Sequence, residues 1–465
     1  MNIKSLYISS HVVASGKLVV SMGFMEMLKS MMARVAFFRP FVRDKEHDDD
    51  IEFFLERYSL DMRREQMYGY SVSEVEEFIA NDKLDILLEG LVKRVKILES
   101  EYDFVLIEGL HQSVFSRAID IDINLLVAKN LSAPYINILR DDNKTPKELL
   151  DDVRIDHDGI VLSGCTHFAT FINRLNPDTK DTLSIILEYS NDLPPIYLLE
   201  EVSHLDMPNI FEVKQALGCE VIRTKPDDYK RVVKGIKIAS MRLENFLEHI
   251  EDGDLVIVSS DRCDIITGSI LAIESHSSPT ISGIVLTGEM SLSTPIQNIL
   301  DGLPNFPIPI LKTREDTYTT AVAVESIQAQ IRSKSERKIA LAMGLFNRSV
   351  DLRTLSQNLA QVTSSIVTPI MFEHYIFQKA MQSKQRIILP EGEDDRILRA
   401  TEALLHRGVA DIILLGEEND ISRKSASLGL DISGATIINP LNSEYRTRFA
   451  KSLYRLLTNL ALYSE

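Results

Sequence analysis

Cysteine is scarce in this chain, with three residues among 465. Cys165, Cys219 and Cys263 are scattered along the sequence, without the close spacing of a metal-binding set. This usage argues against a disulfide framework and against a zinc site, and it is typical of proteins that fold in a reducing compartment. We therefore expect a cytoplasmic protein that has no metal site.

Long apolar runs and net positive charge are missing as well. No run approaches the ~20 apolar residues of a membrane span, and residues 1–8 lack the basic head and apolar core of a signal peptide. The formal charge of −17 disfavours a nucleic-acid surface. We expect neither a membrane nor a nucleic acid as a partner, and we expect anions to bind at local clusters of basic residues and helix N-termini.

The length of the chain and the order of its patterns predict three α/β domains with mainly parallel sheets. A chain of 465 residues is too long for one ordinary core, and its hydrophobic fraction of 45% is typical of globular proteins. The predicted parts are a first domain (1–195), a second domain (196–333), a helical connector (334–381) and an incomplete third domain (382–465).

The first domain begins with a short apolar strand and a loop that ends in Ser15, Gly16 and Lys17, followed by a buried helix. Strand, loop with Gly-Lys, and helix form the context of a phosphate-binding loop. However, Leu18 stands where a hydroxyl would hold magnesium, and no glycine opens the loop at the usual spacing. ATP hydrolysis, binding of an anion or allosteric ligand, and a purely structural remnant are the possible roles. The sequence favours the remnant.

Two acidic features accompany this degenerate phosphate loop. Glu108 follows the apolar strand 104–107. In a working NTPase such a carboxylate would reach magnesium. An ion pair between Glu108 and Lys17 is an equally good interpretation of the sequence. The acidic run 44–50 could hold a cation, and the sequence favours a solvated loop instead.

The second domain contains two predicted strands with polar ends. The apolar strand 255–258 runs into Asp261 and Arg262, and the strand 283–286 ends in Thr287 and a glycine. These ends could form a pocket for a regulatory ligand, for which Asp261 and Arg262 are the candidates. Ordinary turn chemistry in a domain that serves packing or oligomer assembly is the alternative.

The third domain opens with a βαβ pattern. An apolar strand (387–389) leads into a polar turn, an amphipathic helix and a second buried strand (412–415). Open α/β sheets bind ligands at the carboxyl ends of their strands, so Glu391, Glu393 and Arg396 are the substrate-side candidates. Alternatively, the acidic residues complement the dipole of the helix, and Arg396 is paired on the surface.

The segments that carry this pattern resemble a known family. Leu389-Pro-Glu-Gly-Glu-Asp-Asp-Arg396 and Arg407-Gly-Val-Ala-Asp-Ile-Ile-Leu-Leu-Gly416 resemble the opening of the catalytic domain of phosphate acetyltransferases. Residues 204–222 and 253–264 resemble the regulatory middle domain of the long form of these enzymes. The first hundred-odd residues resemble its dethiobiotin-synthetase-like domain. The resemblance covers essentially the whole chain in the same order.

This resemblance implies a function in acetate metabolism. The family converts acetyl-CoA and phosphate into acetyl phosphate and CoA, with coenzyme A and phosphate as substrates and no cofactor, and its long form implies a homo-oligomer. The arginines, serine and aspartate of the family's reaction site lie in the second half of the catalytic domain. No residue here matches them, so no catalytic residue is assigned and we expect a truncated catalytic domain whose closing residues, 454–465, depart from the family.

Two other functions remain open. The chain could be a non-catalytic regulatory or scaffold protein built from the enzyme's front domains, which the missing reaction-site residues favour. An ATP-dependent ligase of the dethiobiotin-synthetase type is disfavoured, because the phosphate loop has lost its magnesium hydroxyl.

Overall fold

The computed structural model describes residues 3–111, 122–187, 192–275, 279–303, 306–327, 329–362 and 367–461. The chain divides into two compact units, one of residues 1–80 and 97–365 and one of residues 81–96 and 366–465. Both units are α/β, and all but one of the strand pairings in the described residues are parallel. The predicted fold class, α/β with mainly parallel sheets, is confirmed.

The larger unit begins with a seven-stranded sheet, counted over the described residues. Its strands are β1 (Ser5–Ser10), β2 (Val35–Val42), β3 (Tyr68–Ser71), β4 (Phe104–Glu108), β5 (Tyr135–Arg140), β6 (His167–Leu175) and β7 (Ile196–Glu200). All are parallel, in the order β3-β2-β4-β1-β5-β6-β7. Strands β1, β2 and β4 are buried along their whole length, which is why they are nearly continuous apolar runs.

The helices of the first 206 residues alternate with these strands. They are α1 (Lys17–Met31), α2 (Asp49–Tyr58), α3 (Val72–Ala80), α4 (Leu84–Glu101), α5 (Ile123–Leu131), α6 (Pro146–Leu162), α7 (Pro177–Leu187) and α8 (Ser203–Asp206). Because parallel strands need crossover connections, this alternation follows from the sheet order. Helix α6 illustrates the local signals: Thr145 and Glu148 form a capping box, and Pro146 opens the helix.

A second sheet follows in the same unit, with five strands in the part of the chain described. They are β8 (Glu220–Arg223), β9 (Gly235–Ile238), β10 (Asp254–Ser259), β11 (Gly283–Thr287) and β12 (Ile310–Lys312), in the order β8-β12-β11-β10-β9. Only β8 is antiparallel to its neighbour, β12. The accompanying helices are α9 (Ile210–Leu217), α10 (Leu243–Leu247), α11 (Cys263–Glu274), α12 (Thr294–Gly302) and α13 (Thr317–Glu325).

Helix α9 begins at a capping box. Asn209 is the N-cap: its side chain accepts from the backbone of Glu212 at 2.9 Å, and Glu212 accepts from the backbone of Asn209 at 2.8 Å. This reciprocal capping box makes Ile210 the first helical residue. The helix ends at Gly218, which adopts the left-handed conformation.

Two helices of the predicted connector, α14 (Glu336–Ser349) and α15 (Leu352–Gln361), belong to the larger unit. Phe346 of α14 stacks on Phe171 of β6 and meets Phe24 of α1 edge-on, with ring centroids 6.0 and 6.2 Å apart. Near the other end of α14, Lys338 pairs with Glu212 at 3.5 Å. Helix α14 therefore contacts elements that accompany both sheets of this unit.

The smaller unit carries, within the described residues, a three-stranded parallel sheet in the order β13-β14-β15. Besides residues 84–96 of α4, its elements are α16 (Pro369–Gln382), β13 (Gln385–Leu389), α17 (Asp395–Arg407), β14 (Ala410–Leu415), α18 (Glu418–Ser427), β15 (Thr436–Ile438) and α19 (Tyr445–Ala461). A small core surrounds Leu398, Ile412, Leu414 and Ile421. The predicted βαβ pattern is present as β13, α17 and β14.

Candidate functional site

The loop between β1 and α1 is held by side chains from β6. Asn173 Nδ2 donates to the carbonyl oxygen of Ser15 at 2.9 Å, and Arg174 Nε donates to that of Ala14 at 3.1 Å. Gly16 has a φ of +79°, and a Cβ there would lie 1.7 Å from Asn173 Nδ2. Glycine is therefore needed at this position both for its left-handed conformation and for the space that Asn173 occupies.

Lys17, the first residue of α1, directs its ammonium to the end of β4. Its Nζ donates to the carbonyl oxygen of Gly109 at 2.5 Å and lies 3.3 Å from Glu108 Oε1. Glu108 is fully buried, and its Oε2 accepts a hydrogen bond from Ser21 at 2.6 Å. The sequence leaves two roles open for Glu108, which are magnesium binding and an ion pair with Lys17. The structure contains the ion pair.

Arg39 of β2 extends this network, and the sequence analysis misses it. Its Nε lies 3.7 Å from Glu108 Oε1, and its Nη1 lies 2.5 Å from Asp48 Oδ1 and 2.9 Å from Asp50 Oδ2. The end of the acidic run 44–50 therefore faces a buried guanidinium, and the expectation of a solvated loop is wrong for these two aspartates. The sequence signal for this network is the charged residue Arg39 inside an apolar strand, because a buried charge requires partners.

The pKa values in this network follow from burial and from neighbouring charges. Burial alone would raise the pKa of Glu108, but the charges of Lys17 and Arg39 outweigh it and hold that pKa below its ordinary value. Burial, and then the charge of Glu108, raises the pKa of Asp50 above its ordinary value. Burial and the charge of Lys17 lower the pKa of His111 to about 4, which keeps this ring neutral at pH 7.

Other parts of the same domain therefore bind the lysine of the degenerate phosphate loop and the carbonyl groups beside it. Among the described residues, no group of three or more histidine, cysteine, aspartate or glutamate side chains could hold a metal ion. The arrangement neutralises a buried carboxylate with an ammonium, which is a structural use of residues that in a working phosphate loop would meet a nucleotide and its magnesium.

The two polar strand ends of the second sheet do come together, because β10 and β11 are neighbours. Ser260 Oγ donates to the carbonyl oxygen of Thr287 at 2.9 Å. Arg262 binds Asp264 through Nε and Nη2, both at 2.9 Å, while Asp261 is exposed. The two candidate residues for a regulatory ligand lie at this edge, with the guanidinium of Arg262 already paired.

In the smaller unit, the polar turn lies at the carboxyl end of β13, beside the end of β14. The backbone N–H of Gly392 donates to the carbonyl oxygen of Leu415 at 3.1 Å. Glu391 and Glu393 are exposed. Arg396 is 87% exposed and lies 3.2 Å from Asp394 Oδ1, which it engages as a surface ion pair. All three substrate-side candidates are accessible at one end of the βαβ unit.

A cavity of about 520 Å³ lies elsewhere in the larger unit, between α1, α14 and α15. Met27, Met343 and Leu352 supply apolar lining, and Glu26 and Arg353 supply charged groups. None of the residues predicted from the sequence as functional lines it.

Comparison with protein families gives three matches in the order that the resemblance predicts. Residues 4–191 match a family described as an AAA domain, residues 212–327 match the DRTGG domain, and residues 371–464 match the family "Phosphate acetyl/butaryl transferase". The last match includes most of the closing segment, so the expectation that residues 454–465 depart from the family is wrong. The side chains after residue 458 lie outside the described part of the chain.

Curated relatives match along nearly the whole chain. A phosphate acetyltransferase of Nitratidesulfovibrio vulgaris is 35% identical over 94% of this chain and 63% of its own length. Those of Synechocystis and Escherichia coli are 28% and 23% identical, over 97% and 79% of this chain and 66% and 55% of their own lengths. The chain thus spans somewhat under two thirds of these relatives.

Among solved structures, a GTPase in apo form from Pyrococcus abyssi shares 18% identity and a TM-score of 0.27, over 42% of this chain and 89% of that chain. A likeness at this level carries no argument about fold or function. In the described residues, every helix is too short or too polar to cross a lipid bilayer.

Proposed function

We propose that the chain belongs to the phosphate acetyltransferase family in its long, multi-domain form and that it takes part in the reaction acetyl-CoA + phosphate = acetyl phosphate + CoA. The observation that carries the proposal is the accessible turn with Glu391, Glu393 and Arg396, which lies inside the segment matched by the acetyl/butyryl transferase family. The relatives named phosphate acetyltransferase support the same reaction.

The chemistry requires positioning more than covalent help from the protein. In the direction of acetyl-CoA synthesis, the coenzyme A sulfur attacks the acetyl carbonyl carbon, the bond from that carbon to the phosphate oxygen breaks, and the thiol proton passes to a base. We propose that Arg396 meets the phosphate, since its side chain is 87% exposed and needs only to leave the half-buried carboxylate of Asp394. Exposed ion pairs of this kind contribute little free energy, about 0–1 kcal/mol.

The proposed cofactor requirement, oligomeric state and cellular compartment accompany this reaction. Both substrates carry their own reactive groups, so we propose no metal or prosthetic group. We also propose a homo-oligomer in the cytoplasm. Three scattered cysteines support a reducing compartment.

The assay that tests this proposal compares the chain with a fusion. We expect the 465-residue chain alone to form no detectable acetyl phosphate, because none of its residues matches the reaction-site serine, aspartate and arginines of the family. A fusion of this chain to the remaining third of the Nitratidesulfovibrio vulgaris relative should turn over at about 1 s⁻¹ or faster. A folded but inactive fusion would contradict the proposal, and an active chain alone would show that the site is misplaced.

Arg396 can be tested in the active fusion. Arg396→Ala should lower kcat/KM by about 10–100-fold, the value of a charge-assisted hydrogen bond to phosphate. Arg399 is also exposed on α17, so Arg399→Ala is the matched control and should leave kcat/KM within about twofold. Equal losses in both variants would assign the effect to the stability of the helix instead.

A second candidate function is a regulatory or scaffold protein without catalysis. In its favour stands the expectation, drawn from the sequence resemblance, that no catalytic residue of the family maps onto this chain. It predicts that the fusion stays inactive while the chain alone is folded and oligomeric by light scattering, an outcome that the enzyme proposal excludes.

A further inference from the structure

The cavity of about 520 Å³ between α1, α14 and α15 has no part in the proposed reaction. All of its lining residues belong to the larger unit, so its walls are complete within that unit. Helices α1 and α14 meet beside it because Gly23 has no side chain: a Cβ there would lie 2.4 Å from the ring of Phe346. The volume falls in the range of about 300–1,000 Å³ that is typical of sites for small molecules.

The apolar part of the wall consists of flexible side chains from all three helices. Met27 and Met31 come from α1, Met343 comes from α14, and Leu352 comes from α15. None of the described lining residues is aromatic. Methionine has three rotatable side-chain bonds and adapts its shape to the group that it contacts. This wall therefore suits a flexible aliphatic chain.

Two charged residues line the cavity, and they differ in their surroundings. Glu26 of α1 faces the hydroxyl of Tyr58, whose pKa is raised by burial and then by the charge of Glu26. Arg353 of α15 is exposed, and its acidic neighbour in the part of the chain that the structure describes is Asp351. The oxygens of Asp351 accept hydrogen bonds from the backbone of Arg353 and from Thr354. The guanidinium donors of Arg353 are therefore available to a ligand.

The serine hydroxyls in the lining are already used within their own helices. Ser30 Oγ donates to the carbonyl oxygen of Met27 at 2.6 Å, and Ser356 Oγ donates to that of Arg353 at 2.8 Å. The cavity thus combines an aliphatic wall with one available cation. A guanidinium binds a carboxylate through two parallel hydrogen bonds, which fixes the orientation of the bound group.

We propose that this cavity binds a medium-chain aliphatic carboxylate. Its carboxylate pairs with Arg353, and its chain lies along Met27, Met343 and Leu352. Such a ligand contacts all three helices at once, so its binding also holds α14 and α15 against α1.

Titration calorimetry of the 465-residue chain with three probes tests the proposal. We expect decanoate to bind at one site with a Kd of about 10–100 µM. Octanoate should bind about 15-fold more weakly, because each buried methylene contributes about fourfold. Decylammonium has the same chain with a cationic head, and it should bind at least about tenfold more weakly than decanoate. Equal or tighter binding of decylammonium would overturn the proposal, because Glu26 would then select the ligand.

Two cavity variants with matched controls locate the site. Arg353→Gln should weaken decanoate binding by about tenfold, and Ser356→Leu, which fills part of the cavity, should weaken it by at least about tenfold. Arg154→Gln on α6 and Ser184→Leu on α7 make the same changes at exposed positions outside the cavity. Both controls should leave the Kd within about twofold. Unchanged affinity in the two cavity variants would place decanoate on another apolar surface and would overturn the proposal.

Hydrogen exchange of the natural chain gives a readout that needs no variant. Decanoate at ten times its Kd should slow exchange in peptides of α14 and α15 by about tenfold, because the bound ligand stabilises the closed state of its site. Peptides of α6 should exchange as before. Absence of slowing in α14 and α15, or slowing that is confined to other helices, would contradict the assignment of the ligand to this cavity.

Discussion

At the scale of single residues, the ion pair between Lys17 and Glu108 has consequences for stability. Lys17→Met removes the ammonium that lies 3.3 Å from the fully buried carboxylate of Glu108. Arg39 and Ser21 then remain as the partners of this carboxylate. We expect the free energy of unfolding of the larger unit to fall by about 2–4 kcal/mol, measured by urea denaturation, because a buried charge has lost its closest counter-ion. Recovery of at least half of this loss is expected in Lys17→Met/Glu108→Gln, where the carboxylate is removed as well. No recovery would show that Lys17 acts through packing instead.

His167 gives a second residue-scale prediction, which concerns pH. Its Nδ1 lies 2.9 Å from Nδ1 of His157, and burial, followed by the charge of that neighbour, lowers its pKa to about 4. The unfolded chain binds this proton near pH 6.5, so the folded state loses stability as the pH falls from about 6.5 towards 4. The loss from this group between pH 6 and pH 5 is about 1 kcal/mol.

The measurement compares urea denaturation of the natural chain and His167→Gln at pH 6 and pH 5. The natural chain should lose about 1 kcal/mol more than the variant over this interval, since the other titrating groups are common to both. Identical pH dependence in the two proteins would mean that His167 titrates normally in the folded state.

At the scale of elements, the loop between β1 and α1 is expected not to bind Mg-ATP. Its lysine is engaged by Glu108, its carbonyl groups are held by Asn173 and Arg174, and Leu18 supplies no ligand for magnesium. Titration calorimetry should show no binding tighter than about 1 mM, or about 4 kcal/mol. Leu18→Thr should not restore binding, because the other two obstacles remain. Micromolar binding that is lost in Lys17→Ala would instead assign a nucleotide-sensing role to this loop.

At the scale of the whole molecule, the two units differ in how much of their structure is buried. Strands β1, β4 and β11 are buried throughout, whereas β13 is exposed along most of its length and α16 has no buried residue. Local stability follows such differences in burial. The smaller unit should therefore unfold at lower urea concentration than the larger one.

Hydrogen exchange measured by mass spectrometry checks this expectation peptide by peptide. Peptides of β13, α16 and α19 should exchange faster, by about tenfold or more, than those of β1, β4 and β11, which corresponds to at least about 1.4 kcal/mol in opening free energy. Uniform protection across both units would contradict it and would indicate one cooperative transition.

Much of this architecture could be predicted from the sequence, because its determinants are local. The order of apolar strands and amphipathic helices predicts parallel sheets with polar strand ends, and β13, α17 and β14 lie within a few residues of their predicted positions. Capping residues such as Asn209 and Gly218 act over one helical turn. Periodicity and caps depend on neighbours in sequence, and a single sequence contains them in full.

The partners of the buried charges were decided only by the tertiary structure. Lys17, Arg39 and Glu108 come from three segments of the first 108 residues, and they meet because β2, β4 and β1 are adjacent in the sheet. Asn173 reaches Ser15 across 158 residues. Strand order is set by the packing of the whole domain and not by local propensity, so the sequence left open whether Glu108 would bind a metal ion or an ammonium. In the fold, the Glu108 carboxylate pairs with the ammonium of Lys17, because the packing of the domain brings that cation within 3.3 Å of it.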